Sequence, residues 1–174
     1  MAAMLLLGWA VGKATTPVDD WFLRDNVRID DYRLVGLFFT DWRLVIGSWL
    51  VGIAGALWQR RWRLAAVVMV CPPTAVILVT VLKRWFGREK GGALAYPSGH
   101  TTLAVVVFGM LVLVAGCRMW VVILAAIAAM LGTIGQALTY HYLTDAIGGV
   151  LLGSALVCVA ALLAGGVPRA RTPT

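Results

Sequence analysis

Charge is scarce in this chain of 174 residues. Only 13% of the residues are Asp, Glu, Lys or Arg, against 61% hydrophobic ones. With a mean hydropathy of +0.88, the apolar surface exceeds what one soluble core of this size can hide. That excludes a water-soluble domain and leaves an all-α, polytopic membrane protein, one helical bundle over 1–174. Acids are the scarcer sign, 8 against 15 Lys and Arg, for a net charge of +7. Such an excess suits nucleic acid, yet the cations fall in short clusters beside apolar segments and no DNA or RNA recognition motif is present, so no nucleic-acid partner is expected. Cysteine is limited to Cys71, Cys117 and Cys158, each in or at the edge of an apolar run and without CxxC spacing. They read as small core residues, not as a disulfide framework or a metal site. Histidine is scarcer still, with only His100 and His141.

The apolar runs predict about six spans, near 1–14, 42–58, 64–82, 101–116, 121–139 and 146–165. The first is short of the ~20 residues that cross the hydrocarbon. Three explanations are open: a short first helix, a truncated start, or a signal peptide, although no basic segment precedes the apolar run. Thr16 to Asp31 mixes Asp19, Asp20, Asp25, Asp30 and Asp31 with Arg24, Arg28, Trp21 and Phe22. It reads either as an amphipathic helix on the bilayer surface or as a solvated loop. Thr40-Asp41 offers an N-cap for the second span, and Pro72-Pro73 should break and kink the third.

Six spans put both termini on one side with the turns at 60–63 and 117–118. Arg60, Arg61, Arg63, Arg118, Arg169 and Arg171 share that side with no acid, while all eight acids and the other nine cations lie opposite. Raw counting of Lys and Arg does not decide orientation. The short acid-free turns are weighed more, which places both termini in the cytoplasm. Trp42 and Trp85 on one side, with Trp58, Trp62 and Trp120 on the other, fit two aromatic belts.

Lys83 to Thr102 is the long polar interruption in the second half. It holds Lys83, Arg84, Arg88 and Lys90, the pair Gly91-Gly92, and Pro97-Ser98-Gly99-His100. Ser98 is a natural N-cap, so the N–H groups of Gly99, His100 and Thr101 would face outward at the positive end of a helix dipole, where anions bind. The four cations add full charges, the arginines gripping phosphate oxygens in pairs. Alone, a basic loop between spans is usually a headgroup-facing loop, and Pro-Ser-Gly is ordinary helix-start chemistry. The joint pattern says more. Both histidines fall on the surface that carries this loop, and Asp145 follows His141 by four residues, close enough for its carboxylate to reach one imidazole nitrogen.

Lys83 with Arg88, then Pro97-Ser98-Gly99-His100, then His141 with Asp145 resembles the three-part signature of the type 2 phosphatidic acid phosphatase family, integral-membrane lipid phosphate phosphatases related to vanadium haloperoxidases. The resemblance covers most of the chain. It implies transfer through a phosphohistidine, with His141 as nucleophile, Asp145 as its orienting partner and His100 as general acid. Lys83, Ser98 and the Gly99 N–H would hold the phosphoryl oxygens, and neither a cofactor nor a metal is implied. Two positions depart from the family's pattern. Lys90-Gly91 stands where its first motif ends in Arg-Pro, so that Arg88 takes the Arg role. Ile134-Gly135 stands where its third motif opens with Ser-Arg, leaving Arg84 or Lys90 to supply that charge.

The expected activity is therefore metal-independent removal of the terminal phosphate of a lipid at the outer face of a bacterial plasma membrane. Substrates within reach are polyprenyl phosphates or pyrophosphates, as in cell-wall synthesis, polyprenyl sugar phosphates, phosphatidic acid and phosphatidylglycerol phosphate. The rival reading is a non-catalytic protein that binds or moves lipid phosphates.

Overall fold

The computed structural model describes residues 1–25 and 35–165. Asp30, Asp31, Arg28, Arg169 and Arg171, read above as part of an interfacial segment and a basic tail, lie outside the described residues. The chain is a multi-pass membrane protein of seven described helices: α1 (Ala2–Val11), α2 (Pro17–Asp25), α3 (Trp42–Trp58), α4 (Trp62–Phe86), α5 (Gly99–Val114), α6 (Met119–Thr139) and α7 (Leu143–Leu163). Four apolar stretches, Val35–Trp58 (α3 with the turn and short helical stretch before it), Trp62–Phe86, Met119–Thr139 and Leu143–Leu163, are long enough to cross a bilayer, whereas α1 and α5 are shorter. The shortness of α5 goes with its place. It packs against α3, α4, α6 and α7, and Val106, Val107, Met110 and Leu113 are buried among them.

Local chemistry sets the helix ends. Asp41 caps α3, its carboxylate accepting from the Arg43 N–H at 2.8 Å, and Gly87 closes α4 in the left-handed conformation. The belt tryptophans Trp42, Trp58, Trp62, Trp85 and Trp120 lie at or within two residues of helix ends and are all exposed. Contrary to expectation, α4 is not broken at Pro72-Pro73 but runs through them. Pro72 has no N–H to offer the Val68 carbonyl, which instead accepts from the Trp49 indole at 2.7 Å. A neighbouring helix thus satisfies the group that the proline frees. Cys71 and Cys117 are half-buried, whereas Cys158 is exposed rather than in the core.

Between α4 and α5 the polar stretch folds into a two-stranded hairpin, β1 (Glu89–Lys90) and β2 (Ala93–Leu94). Gly91 and Gly92 make its turn, both with positive φ, 59° and 80°, as a type I′ turn requires. Tyr96 beyond it is fully buried, edge-on to Phe86 and donating to the Met4 carbonyl. A Cβ on Gly148 would come within 2.4 Å of the Tyr96 ring. The absence of a side chain there lets α7 close over the loop.

Candidate active site

Pro97 to Thr102 starts α5 as its chemistry suggests. Ser98 is the N-cap, with its hydroxyl accepting from the Thr101 N–H at 3.5 Å and donating to the Thr101 hydroxyl at 3.1 Å. The loop is tied to α7, because the Ser98 N–H donates to the Asp145 carbonyl at 3.0 Å. His141 occupies the short turn between α6 and α7, where its N–H donates to the Gln136 carbonyl at 2.9 Å. Asp145 is the third residue of α7 and caps it, accepting from the Tyr142 N–H at 3.1 Å.

These elements line a cavity of about 580 Å³ with Lys83, Lys90, Gly99, His100, Tyr140 and His141, together with the apolar Val76, Val79 and Leu103. Both histidines of the chain and two of the four loop cations therefore meet in one place. The Lys83 ammonium donates to the Leu94 carbonyl and that of Lys90 to the His141 carbonyl, each at 2.7 Å. Each keeps two donors for a ligand. Among the described residues, the Gly99 and His100 N–H groups have no protein acceptor. The cavity combines ammonium groups, a helix N-terminus and imidazoles, a donor set suited to a phosphoryl group.

Several side chains are placed differently from expectation. Arg88 does not line the cavity. It is fully buried behind it, where Nη1 donates to Asp145 at 2.9 Å and to Thr144 at 2.7 Å, and Nη2 donates to Asp19 at 2.7 Å and to the Ala14 carbonyl at 3.0 Å. With Nη1 and Nη2 committed to carboxylates and Nε buried without a hydrogen-bond partner, Arg88 offers the cavity no exposed donor for a phosphate oxygen. Arg84 is exposed and off the cavity, and Ser98 is buried with its hydroxyl spent on Thr101. The carboxylate of Asp145 reaches toward His141 but stops 4.0 Å from Nδ1, at ion-pair rather than hydrogen-bond distance. Its oxygens are already held by Tyr142 and Arg88, and the buried Nδ1 has no hydrogen-bond partner.

Sequence reasoning missed Asp19. Expected in an amphipathic surface helix or a solvated loop, it lies on helix α2 but is fully buried, and accepts from Arg88, the Thr144 N–H and the Thr144 hydroxyl. The local signal is Thr16-Pro17-Val18-Asp19, a helix-start pattern in which Thr16 and Asp19 cap each other. Tyr142 was also missed. Its ring lies 4.7 Å from the Arg88 guanidinium and 4.8 Å from the Lys90 ammonium.

Electrostatics keep the imidazole of His141 neutral. Burial pushes its pKa down to about 3, helped by the positive charges of Lys83, His100 and Lys90. Lys90 is lowered by burial and drawn back up by Asp145 and Asp19. Burial pushes Asp19 up, but hydrogen bonds from Thr144, Thr16 and Arg88 outweigh it and hold the carboxyl below its usual value.

Neither a protein-family model nor a curated protein matches this chain. Among solved structures it is similar to the crystal structure of a transmembrane PAP2-type phosphatidylglycerolphosphate phosphatase from Bacillus subtilis. The TM-score is 0.77 at 21% sequence identity, over 98% of this chain and 96% of that one. With its helices, its loop and its cavity in place, the chain has the transmembrane PAP2-type phosphatase fold along nearly its whole length.

Proposed function

We propose that this protein is a lipid phosphatase that works without a metal, through a phosphohistidine at His141. The observation that carries the reading is the meeting of His100, His141, Lys83 and Lys90 in one cavity. Because Nδ1 of His141 is buried toward Asp145, Nε2 is the nitrogen left to attack. It forms a bond to phosphorus while the bond from phosphorus to the lipid oxygen breaks, and His100 gives that oxygen its proton. Water then attacks the phosphohistidine with His100 taking a proton, which returns His141 and releases inorganic phosphate. Lys83, Lys90 and the N–H groups of Gly99 and His100 offset the charge that builds on the equatorial oxygens.

The neutral state of His141 favours catalysis over storage of a phosphate, since binding alone needs no unprotonated nucleophile. Apolar Val76, Val79 and Leu103 in the cavity lining suit a lipid alcohol or lipid phosphate as leaving group. Phosphatidic acid, phosphatidylglycerol phosphate, polyprenyl sugar phosphates and polyprenyl phosphates or pyrophosphates all present that chemistry. The acid-free turns on the opposite side support an outer-leaflet position of the cavity in a bacterial plasma membrane.

The test is phosphate release from a panel of these lipids by detergent-solubilised protein in chelator, comparing wild type with His141→Ala. Release that His141→Ala abolishes supports the reading. Absence of release from every lipid, with lipid binding unchanged in His141→Ala, favours the non-catalytic binder.

A further inference from the structure

We propose that Asp19, on the short helix α2, is a positioning residue for the reaction at His141. It acts through Arg88 and Thr144 to hold the Asp145 carboxylate that faces the imidazole. The proposal rests on the reading of His141 as nucleophile.

Arg88 has two working edges. One donates to Asp145 and Thr144, and the other donates to Asp19 and the Ala14 carbonyl. Asp19 also meets Thr144 directly, accepting its N–H at 3.0 Å and its hydroxyl at 2.9 Å. A carboxylate from a separate helix thus caps the first turn of α7, one residue from Asp145. Arg88, Asp19 and Asp145 are all fully buried, so each donor lost there goes unreplaced by water.

The charge count gives the arrangement a chemical sense. One guanidinium against Asp145 alone would make a neutral pair. Adding Asp19 gives the dry cluster a second carboxyl, so that with both ionised it carries a surplus negative charge 4.0 Å from His141 Nδ1; burial and Asp19 favour the protonated form of Asp145, while Arg88, the Tyr142 N–H and Lys90 favour the ionised one. The imidazole becomes cationic as its bond to phosphorus forms, so this surplus favours the transition state over the resting state. Stability alone gains little from a second buried acid, since desolvating a carboxylate is costly. Lys83 and Lys90 lie on the cavity side, where an incoming phosphate takes up their charge. Asp19 does not line the cavity, so its loss should act on turnover rather than on binding.

The experiment measures kcat and KM per mole of monodisperse protein, using whichever of phosphatidic acid, phosphatidylglycerol phosphate and a polyprenyl pyrophosphate turns over fastest. Asp19→Asn should lower kcat by about 10- to 100-fold with KM little changed. Asp20→Asn, at the exposed neighbouring position, should match wild type. Thr144→Val should lose kcat as Asp19→Asn does, and Thr144→Ser should recover most of that loss. Wild-type kcat in Asp19→Asn, or a loss confined to KM, overturns the proposal. If Asp19→Asn yields no folded protein, equal kcat in Thr144→Val and Thr144→Ser overturns it instead. His141→Ala in the same assay separates the two readings. Turnover by that variant removes the nucleophile itself, whereas an inactive His141→Ala beside a fully active Asp19→Asn removes only the positioning role.

Discussion

The Arg88 guanidinium lies 2.9 Å from the Asp145 carboxylate, and neither side chain reaches solvent. With Asp19 at 2.7 Å on its other edge, Arg88 joins the hairpin loop, α2 and α7. The cation that most resembles a phosphate ligand in the sequence thus supports the carboxylate that faces His141.

Replacing Arg88 with Met should leave two buried carboxylates without their cation, at a cost of about 3–5 kcal/mol. Arg88→Lys should not restore the loss, because one ammonium cannot span both acids as the planar fork does. Thermal unfolding of the purified variants in detergent measures both. An Arg88→Met protein as stable as wild type would contradict the assignment.

Gly135 stands where the family's third motif has Arg, and the space for a side chain is taken. A Cβ there would sit 2.5 Å from the Gly36 carbonyl carbon and 2.7 Å from its Cα. Gly135→Arg should therefore destabilise the protein by about 2 kcal/mol or more instead of improving turnover. Gly135→Ala should already show part of the loss. Unfolding temperature and kcat, measured together, distinguish this from a missing catalytic cation.

His141 binds its proton more weakly in the folded chain, with a pKa of about 3, than in the unfolded chain, at about 6.5. The unfolded state therefore takes up more protons between those values, and stability rises with pH across them. The contribution is complete above pH ~6.5 and is lost as pH falls toward 3. His141→Gln should flatten that part of the stability curve, as read by unfolding temperature against pH. For the same reason, a fall in kcat/KM near pH 6 should not arise from protonation of His141.

Much of the fold is legible in order along the chain, because apolar length and end chemistry are local properties. The Ser98 and Asp41 caps and the tryptophans at helix ends follow from neighbours within a few residues. The hairpin was within reach through Gly91-Gly92, a pair that suits a type I′ turn, but the cationic run around it drew the reading toward a phosphate loop. The continuity of α4 through Pro72 goes with Trp49, nineteen positions before the Val68 carbonyl that its indole satisfies. The site divides in the same manner. His100 and His141 converge as the span order implies, whereas the partner of Arg88 is sixty-nine positions off in a segment rich in Asp. Composition distinguishes Asp19 from Asp20 only through the Thr16 cap, and burial of one but not the other is decided by how α2 docks on α7.

In the proposed reaction phosphorus becomes bonded to His141. Rapid quenching of turnover on a lipid labelled at its terminal phosphate tests it most directly. The account predicts an acid-labile, alkali-stable phosphoprotein in wild type and none in His141→Asn. Turnover with no labelled protein at any time, or label that persists in His141→Asn, would contradict it.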